Sequence, residues 1–392
     1  MLFWQFGTAL QVVAVGLRLG CSASVMRVDL SQNDDLGLEG LQAITEAMQL
    51  NVTLRELTLR AVRALDESGA RCLAETLRKN RVLRKLDVRG NSMGDEGTKA
   101  LIEAARVSSI EELHIFELRP FEYHKMDPNQ ALAQVLVGRF SQDELDLHFC
   151  CLGDDVTQAL SMDLTSNKSV LHLRLEQNFV KAPGAQALSH ALKENSSLFI
   201  LNLGMNSIGD VGAQALSEAL LVNNTLREII LNKNNIGDAG ADALGAALYQ
   251  NNSLRKLAMV GNVIEDLGIQ VLVSAAGRSS LEALQLFELS GQEPNQAFAA
   301  FLAGSYKEPK LNLDRCGFHD EAAKALAAAI RRETSTNHIS LRYNDLSVAG
   351  WEALNMATGR RTQRKSILSR SSDTSARSWL ALRASRRMSL IK

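Results

Sequence analysis

Aromatic residues make up only 5% of the 392 residues and prolines number five, so the core cannot rest on aromatic clusters; Leu, Ala and Val must fill it in thin layers. Cysteines number five (Cys21, Cys72, Cys150, Cys151, Cys316), an odd and scattered set that supplies no disulfide framework. A reducing compartment is the simpler reading, so a cytoplasmic location is expected. Several catalytic signatures are missing. There is no G-x-x-x-x-G-K-[ST] nucleotide loop, no G-x-S-x-G elbow, no H-E-x-x-H and no paired C-x-x-C, and with them go the enzyme classes they mark. Catalytic residues, cofactor and metal are therefore each expected to be none. Long apolar runs are also scarce. The one candidate, Met1 to Leu17, lacks a basic n-region, is interrupted by Arg18 and is short for a membrane span. Ala14, Val15, Arg18 and Leu19 align with an apolar stripe that recurs downstream. Residues 1–24 therefore read as a capping helix of a partial repeat, with a targeting or membrane role left open.

What the chain does have is a period. Asn178, Asn206, Asn234 and Asn262 recur every 28 residues, each inside L-x-x-L-x-L-x-x-N. The second leucine position of that pattern is filled by Val28, Leu57, Leu86, Leu113, Leu145, Leu173, Leu201, Ile229, Leu257, Leu284, Leu311 and Ile339, which defines twelve units of 27–32 residues. Each unit carries two periodicities. Leu201-Asn-Leu203 alternates as a strand does, whereas Ala215, Leu216, Ala219 and Leu220 form a helical stripe. Asp210 stands before the stripe as a helix N-cap, and the repeat Asn is expected to pair with backbone groups of the turn that follows the strand. No unit can bury its apolar face alone, so the units stack into an α/β solenoid. Parallel strands would line the concave face and helices the convex face of a horseshoe over residues 25–358.

The exceptions reveal a larger duplication. Leu118 and Leu289 replace the repeat Asn in two units, Cys150 and Cys316 in the two units that follow, and Val62 in one more. Residues 83–118, shifted by 171, match residues 254–289 at half of the 36 positions, and Pro128-Asn-Gln-Ala recurs as Pro294-Asn-Gln-Ala. A block of six units (25–197) is thus repeated (198–358). Five N-x-[ST] sequons, at Asn51, Asn167, Asn195, Asn223 and Asn251, all fall on one helix-to-strand corner, where Asn has a turn-forming reason to be.

The net charge of −1 conceals an asymmetry. From Gly359 onward ten Lys or Arg stand against one acid, a charge of +9, which leaves −10 on the body. The tail, 359–392, is rich in Arg and Ser and reads as disordered. Ser366 and Ser389 follow basic residues and are candidate phosphorylation sites. Membrane contact is expected only through this tail or the N-terminal segment.

Residues flanking the strand leucines should face solvent on the concave side. They include His114, Phe116, Asp146, His148, Phe149, His172, Arg174 and Phe287, a mixed aromatic and charged patch suited to a protein partner. The insertion at 119–127 adds Phe121 and Tyr123 beside it. Three histidines on adjacent strands occupy different positions within their strands, and no Cys/His pair has zinc spacing, so no metal is assigned.

The unit L-x-x-L-x-L-x-x-N-x-I-G-D-x-G-A-x-A-L-x-x-A-L resembles the ribonuclease-inhibitor-like leucine-rich repeats from Val25 to Leu354, most closely over Val170–Gly261. That class includes ribonuclease inhibitor, the sensor regions of NOD-like receptors and the Ran GTPase-activating protein. The resemblance implies an intracellular α/β horseshoe used for protein binding, and it transfers no functional residue. The chain departs from each member: five cysteines against a cysteine-rich inhibitor, no nucleotide-binding motif, and a basic rather than acidic C-terminal segment. The expected function is a non-enzymatic scaffold or recognition module for a protein of unidentified kind, with no nucleic-acid partner. A GTPase regulator is the alternative.

Overall fold

The computed structural model describes residues 2–3, 24–33, 36–119, 124–331, 336–358 and 368–369. It falls into two compact units, 1–206 and 207–392. In the first, β1 (Leu2–Phe3), β2 (Arg27–Asp29), α1 (Leu38–Leu50), β3 (Glu56–Thr58), α2 (Glu67–Lys79), β4 (Lys85–Asp87), α3 (Gly94–Arg106) and β5 (Glu112–His114) alternate. They are followed by α4 (Pro128–Leu136), β6 (Glu144–Asp146), α5 (Asp154–Leu164), β7 (His172–Arg174), α6 (Ala182–Glu194) and β8 (Ile200–Asn202). The second unit begins with α7 (Gly209–Val222), β9 (Glu228–Ile230), α8 (Asp238–Leu248), β10 (Lys256–Ala258), α9 (Asp266–Ala276) and β11 (Ala283–Gln285). It continues through α10 (Gln292–Ala303), β12 (Lys310–Asn312), α11 (Asp320–Ile330), β13 (His338–Ser340), α12 (Val348–Thr358) and β14 (Leu368–Ser369). The chain is an α/β leucine-rich-repeat solenoid. Every recurring leucine position is the middle residue of a three-residue strand, and neighbours pair in parallel on it, as Leu57 with Leu86 and Leu145 with Leu173.

The N-terminal strand β1 pairs with Val28 and Asp29, and in the tail Leu368 and Ser369 pair with Ile339 and Ser340. The helix expected within residues 1–24, the remainder of the tail, and Phe121, Tyr123, Ser366 and Ser389 lie outside the described residues.

Side-chain amides hold successive turns together. Asn178 Nδ2 donates to Leu175 O (3.0 Å) in its own turn and to Leu147 O (2.8 Å) one repeat earlier. Its Oδ1 accepts from Cys150 N (3.0 Å) and Leu152 N (3.1 Å), also one repeat earlier. Asn262 does the same for Met259 O, Leu231 O, Asn234 N and Ile236 N. The residue before each such Asn is left-handed (φ 56° at Gln177, 55° at Met205, 52° at Lys233, 73° at Gly261), which turns the chain away from the strand. The amide therefore does more than the expected local pairing: it satisfies buried backbone groups of two repeats at once.

A carboxylate does the equivalent work at the helices. Asp210 is not the cap of its own helix but lies in the first turn of α7. Its Oδ1 accepts from Gly237 N (2.7 Å) and Gly240 N (3.0 Å), so it caps α8 of the following repeat. Asp154 caps α6 through Lys181 N and Gly184 N, and Asp238 caps α9 through Glu265 N and Gly268 N. The caps of these three helices, Lys181, Gly237 and Glu265, make no side-chain capping bond of their own. Glycine follows three residues later because a Cβ on Gly240 would meet Ile236 Cγ2 at 2.6 Å and Asp210 Oδ1 at 2.8 Å. The buried face of α7 is Gly212, Ala213, Leu216, Ser217, Ala219 and Leu220, with Ala215 on its margin.

The sequon asparagines 51, 195, 223 and 251 are buried. Asn195 Nδ2 donates to Leu164 O (2.6 Å) and Asn251 Nδ2 to Leu220 O (2.7 Å), which spends on the corner the nitrogen a glycan would take.

The strand ladder is interrupted twice, between β5 and β6 and between β11 and β12. These are the repeats where Leu118 and Leu289 replace the Asn. Asn129, from the first turn of α4, reaches back to bond Leu118 N (3.0 Å) and Leu118 O (3.2 Å). Asn295 of α10 does the same for Leu289 N (2.7 Å) and Leu289 O. With its start tied down, α4 packs on β5 and α10 on β11, and the flanking helices meet over them, α3 with α5 and α9 with α11. Ion pairs bridge these flanking helices, Arg106 to Asp163 (3.4 Å) and Lys324 to Asp266 (2.8 Å).

This rearrangement corrects one expectation. His114 does not face solvent: it is 7% exposed. The side of β5 without a partner strand is taken by α4, whose Gln130 Nε2 lies 3.3 Å from Glu112 Oε1. Glu112 Oε2 in turn lies 3.2 Å from His114 Nε2. Burial outweighs this bond and holds the imidazole below its ordinary value.

Three outcomes are expected. Asn178→Ala strands at least three buried backbone groups and lowers unfolding free energy by on the order of 3 kcal/mol in urea denaturation. Gly240→Ala overpacks the α7–α8 contact and costs about 1–3 kcal/mol by the same measurement. The unfolded His114 takes a proton near pH 6.5 and the folded one only at lower pH. Its contribution is therefore intact above about pH 7 and is lost as pH falls below about 6.5. Between about pH 7.5 and 5.5 the unfolding free energy of His114→Gln should fall less than that of the unaltered chain.

Candidate functional site

The face carried by β6 and β7 is the most chemically varied among the described residues. Register places Glu144 beside His172 and Asp146 beside Arg174. Arg174 reaches across both, 3.2 Å from Asp146 Oδ2 and 3.7 Å from Glu144 Oε1, and Lys125 Nζ lies 3.6 Å from Glu144 Oε2. His148 Nδ1 lies 2.6 Å from Asp146 Oδ1, and the His148 N–H also donates to that oxygen. Burial alone would raise the Asp146 carboxyl. The bonds from His148 and the Arg174 charge outweigh it and hold the carboxyl below its ordinary value.

His124, from the described end of the insertion, lies against this pair. His124 Nε2 sits 2.9 Å from His148 O, and the two imidazole rings are 4.5 Å apart, tilted by 33°. Cys150 Sγ lies 3.6 Å from His124 Nε2, but the thiol donates to His148 O (3.3 Å). Burial, reinforced by the nearby Asp146 charge, pushes the Cys150 thiol up to about 12. It stays protonated at neutral pH and is a structural donor in the Asn slot, not a nucleophile. Cys316 is its counterpart, donating to Leu313 O.

Phe149 occupies the left-handed slot (φ 53°) that other repeats fill with Gln177, Met205, Lys233, Arg315, Tyr343 or a glycine, and its side chain is 36% exposed. A bulky residue is strained there, and the repeat geometry does not call for an aromatic at that slot. Phe199 (39%) and Phe179 (62%) add further exposed rings to the same unit. Phe116 is half-buried, as is His172, while His114 is enclosed as described above.

Phe287 belongs to the other unit. It meets His319 edge-on at 5.5 Å and Phe298 at 6.2 Å, and lines a hollow of about 350 Å³ with Met259, Ile264 and Glu321. The candidates thus divide into a cluster around β6 and β7 and a separate hollow holding Phe287. The spacing reading missed His124, because the chain folds it back onto residues 24 positions away. Among the described residues no helix is long and apolar enough to cross a membrane.

Comparison with known proteins agrees with the repeat geometry. The leucine-rich repeat family model matches residues 21–44, 79–101, 194–217, 222–245 and 250–273. Ribonuclease inhibitor of Mus musculus is 35% identical over 100 residues, which cover 25% of this chain and 22% of the inhibitor. The chain therefore spans less than a quarter of that relative's length. Among solved structures, leiomodin-1 actin-binding site 2 aligns with 40% of this chain and 90% of its own at 24% identity and a TM-score of 0.35. The tropomodulin C-terminal domain of Caenorhabditis elegans aligns with 47% of this chain and 92% of its own at 20% identity and a TM-score of 0.29. Superpositions that loose bear on neither partner nor mechanism. The strands centred on the recurring leucines, the amide-closed turns and the sequence matches agree: the chain is a leucine-rich-repeat solenoid, similar over part of its length to ribonuclease inhibitor.

Proposed function

We propose that this chain is a protein-binding scaffold whose contact surface centres on β6 and β7 of the first unit. The observation that carries this reading is Phe149, an aromatic side chain held exposed at a strained backbone position amid Asp146, His148, Arg174 and Glu144. Aromatic rings next to paired charges are the composition of interface hot spots. The charges there are already neutralised in pairs, so a partner gains from desolvating them only where its own groups complement them. That favours a structured protein surface over a simple polyanion. An intracellular setting is part of the proposal, supported by Cys72, Cys150, Cys151 and Cys316, all free thiols. No observation favours a GTPase over other protein partners.

The test is capture of partners from a matched cell extract by the intact chain and by a Phe149→Ala, Arg174→Ala double variant. Partner recovery should drop by at least about tenfold, the equivalent of a single hot spot, while the melting temperature stays within about 2 °C. Equal recovery by both proteins, or loss of recovery together with unfolding, would remove this surface from the account.

A further inference from the structure

We propose that His124, Asp146 and His148 form a binding site for a divalent transition-metal ion of the zinc type, which clasps the insertion to the end of β6. Each side chain offers one ligand atom, and these atoms lie within 4.8 Å of one another. Ligands of a tetrahedral zinc site with bonds of about 2.0–2.1 Å stand roughly 3.4 Å apart. Closing the cluster therefore takes shifts of about an ångström. Two imidazoles and one carboxylate suit zinc, copper or nickel and disfavour calcium or magnesium, which take oxygen ligands. The fourth position falls to water, since the Cys150 thiol is turned to His148 O at 3.3 Å.

The duplicated block serves as an internal control. Its shorter connection, Ser290-Gly-Gln-Glu293, has no histidine, and Asn312 and Asp314 stand where the first block has Asp146 and His148. That block nonetheless builds the same turn, with Cys316 donating to Leu313 O and Asn344 Oδ1 accepting from Cys316 N and Phe318 N. The repeat does not need the histidines. They gather only where five extra residues have been added between the recurring leucines Leu113 and Leu145, compared with Leu284 and Leu311. This is also where the strand ladder is interrupted between β5 and β6.

Nearby charges allow a cation without being uniformly acidic. Arg174 occupies Asp146 Oδ2 at 3.2 Å and leaves Oδ1 facing His148. Glu144, 3.7 Å from Arg174, offsets part of that positive charge. An ion bound here would join His124 to β6, in the one stretch of the first unit where strand pairing does not connect neighbouring repeats.

The experiment uses the full chain, stripped with chelator and titrated calorimetrically with zinc chloride. One ion per chain is expected, with His124→Gln and Asp146→Asn each weakening it by more than the about 10–100-fold typical of outer-shell changes. A second measurement needs no variant. Diethylpyrocarbonate modification, mapped by mass spectrometry, should spare His124 and His148 when zinc is present and leave His190 and His338 unaffected by the metal. Absence of zinc binding, or binding with both variants unaltered and His124 unprotected, would overturn the proposal.

Discussion

A solenoid has no single core to close, so its buried turns must find hydrogen-bond partners locally. The repeat amide answers that constraint. The chain leaves the recurring strands, β5 and β11 excepted, through a left-handed residue, which turns peptide groups inward, away from the sheet. Asn178 bonds two such carbonyls and two such N–H groups, three of the four in the preceding repeat. A side chain with two donors and an acceptor oxygen is the smallest group that can do this. The bonds also fix register. A repeat cannot slide against its neighbour without exposing unpaired backbone groups, so the spacing of the amides is as strict as that of the leucines. The Asp210 carboxylate repeats the logic at the helices, where it satisfies the N-terminus of α8 rather than its own. Stability in such a stack is a sum of neighbour terms, and much of the specificity of those terms is polar.

The central strand residues were all readable from periodicity, because each sits at an i+3, i+5 spacing that only a strand-turn unit produces. The corner asparagines were readable too, since turn chemistry accounts for their position before any glycan is invoked. Periodicity could not show direction. Asp210 looks like a cap in sequence because it precedes an apolar stripe, but a helix's own first turn and the next helix's N-terminus are equally near it in space. The close approach of Gly240 and Gly268 to the preceding repeat's carboxylate was the available clue, since glycine costs a helix about 1 kcal/mol unless something crowds it.

The two variant repeats show how the lattice tolerates a missing amide. Leu118 and Leu289 are larger and apolar, and neither can satisfy the turn. The recurring Pro-Asn-Gln-Ala supplies the amide from the helix side, and pulling the helix start inward displaces the next strand from the ladder. His114 is buried as a consequence of that exchange, not of its own strand pattern. This is why counting alternate residues along β5 left it exposed when it is covered. The motif was visible in the sequence as a repeat of a repeat. Its role was not, because the partners Leu118 and Asn129 are linked only through the fold.

Within regular repeats nearly every position answers to the fold: leucines to the core, Asn and Asp to the backbone, glycine to close approach, small residues to helix packing. Residues free to serve another purpose therefore collect where regularity fails. In the second block the irregular repeat is compact, and Phe287 folds against Phe298 and His319. In the first block the same irregularity is longer by five residues, and beside it stand an exposed phenylalanine, ion-paired carboxylates and two imidazoles in contact, tilted by 33°. The two blocks share a backbone solution but not this cluster, so the fold does not explain it. A His124 brought back onto Asp146 and His148 costs the chain conformational freedom that its regular repeats do not spend. Such costs persist in folded proteins where they support binding, and here they fall within one stretch of the first unit.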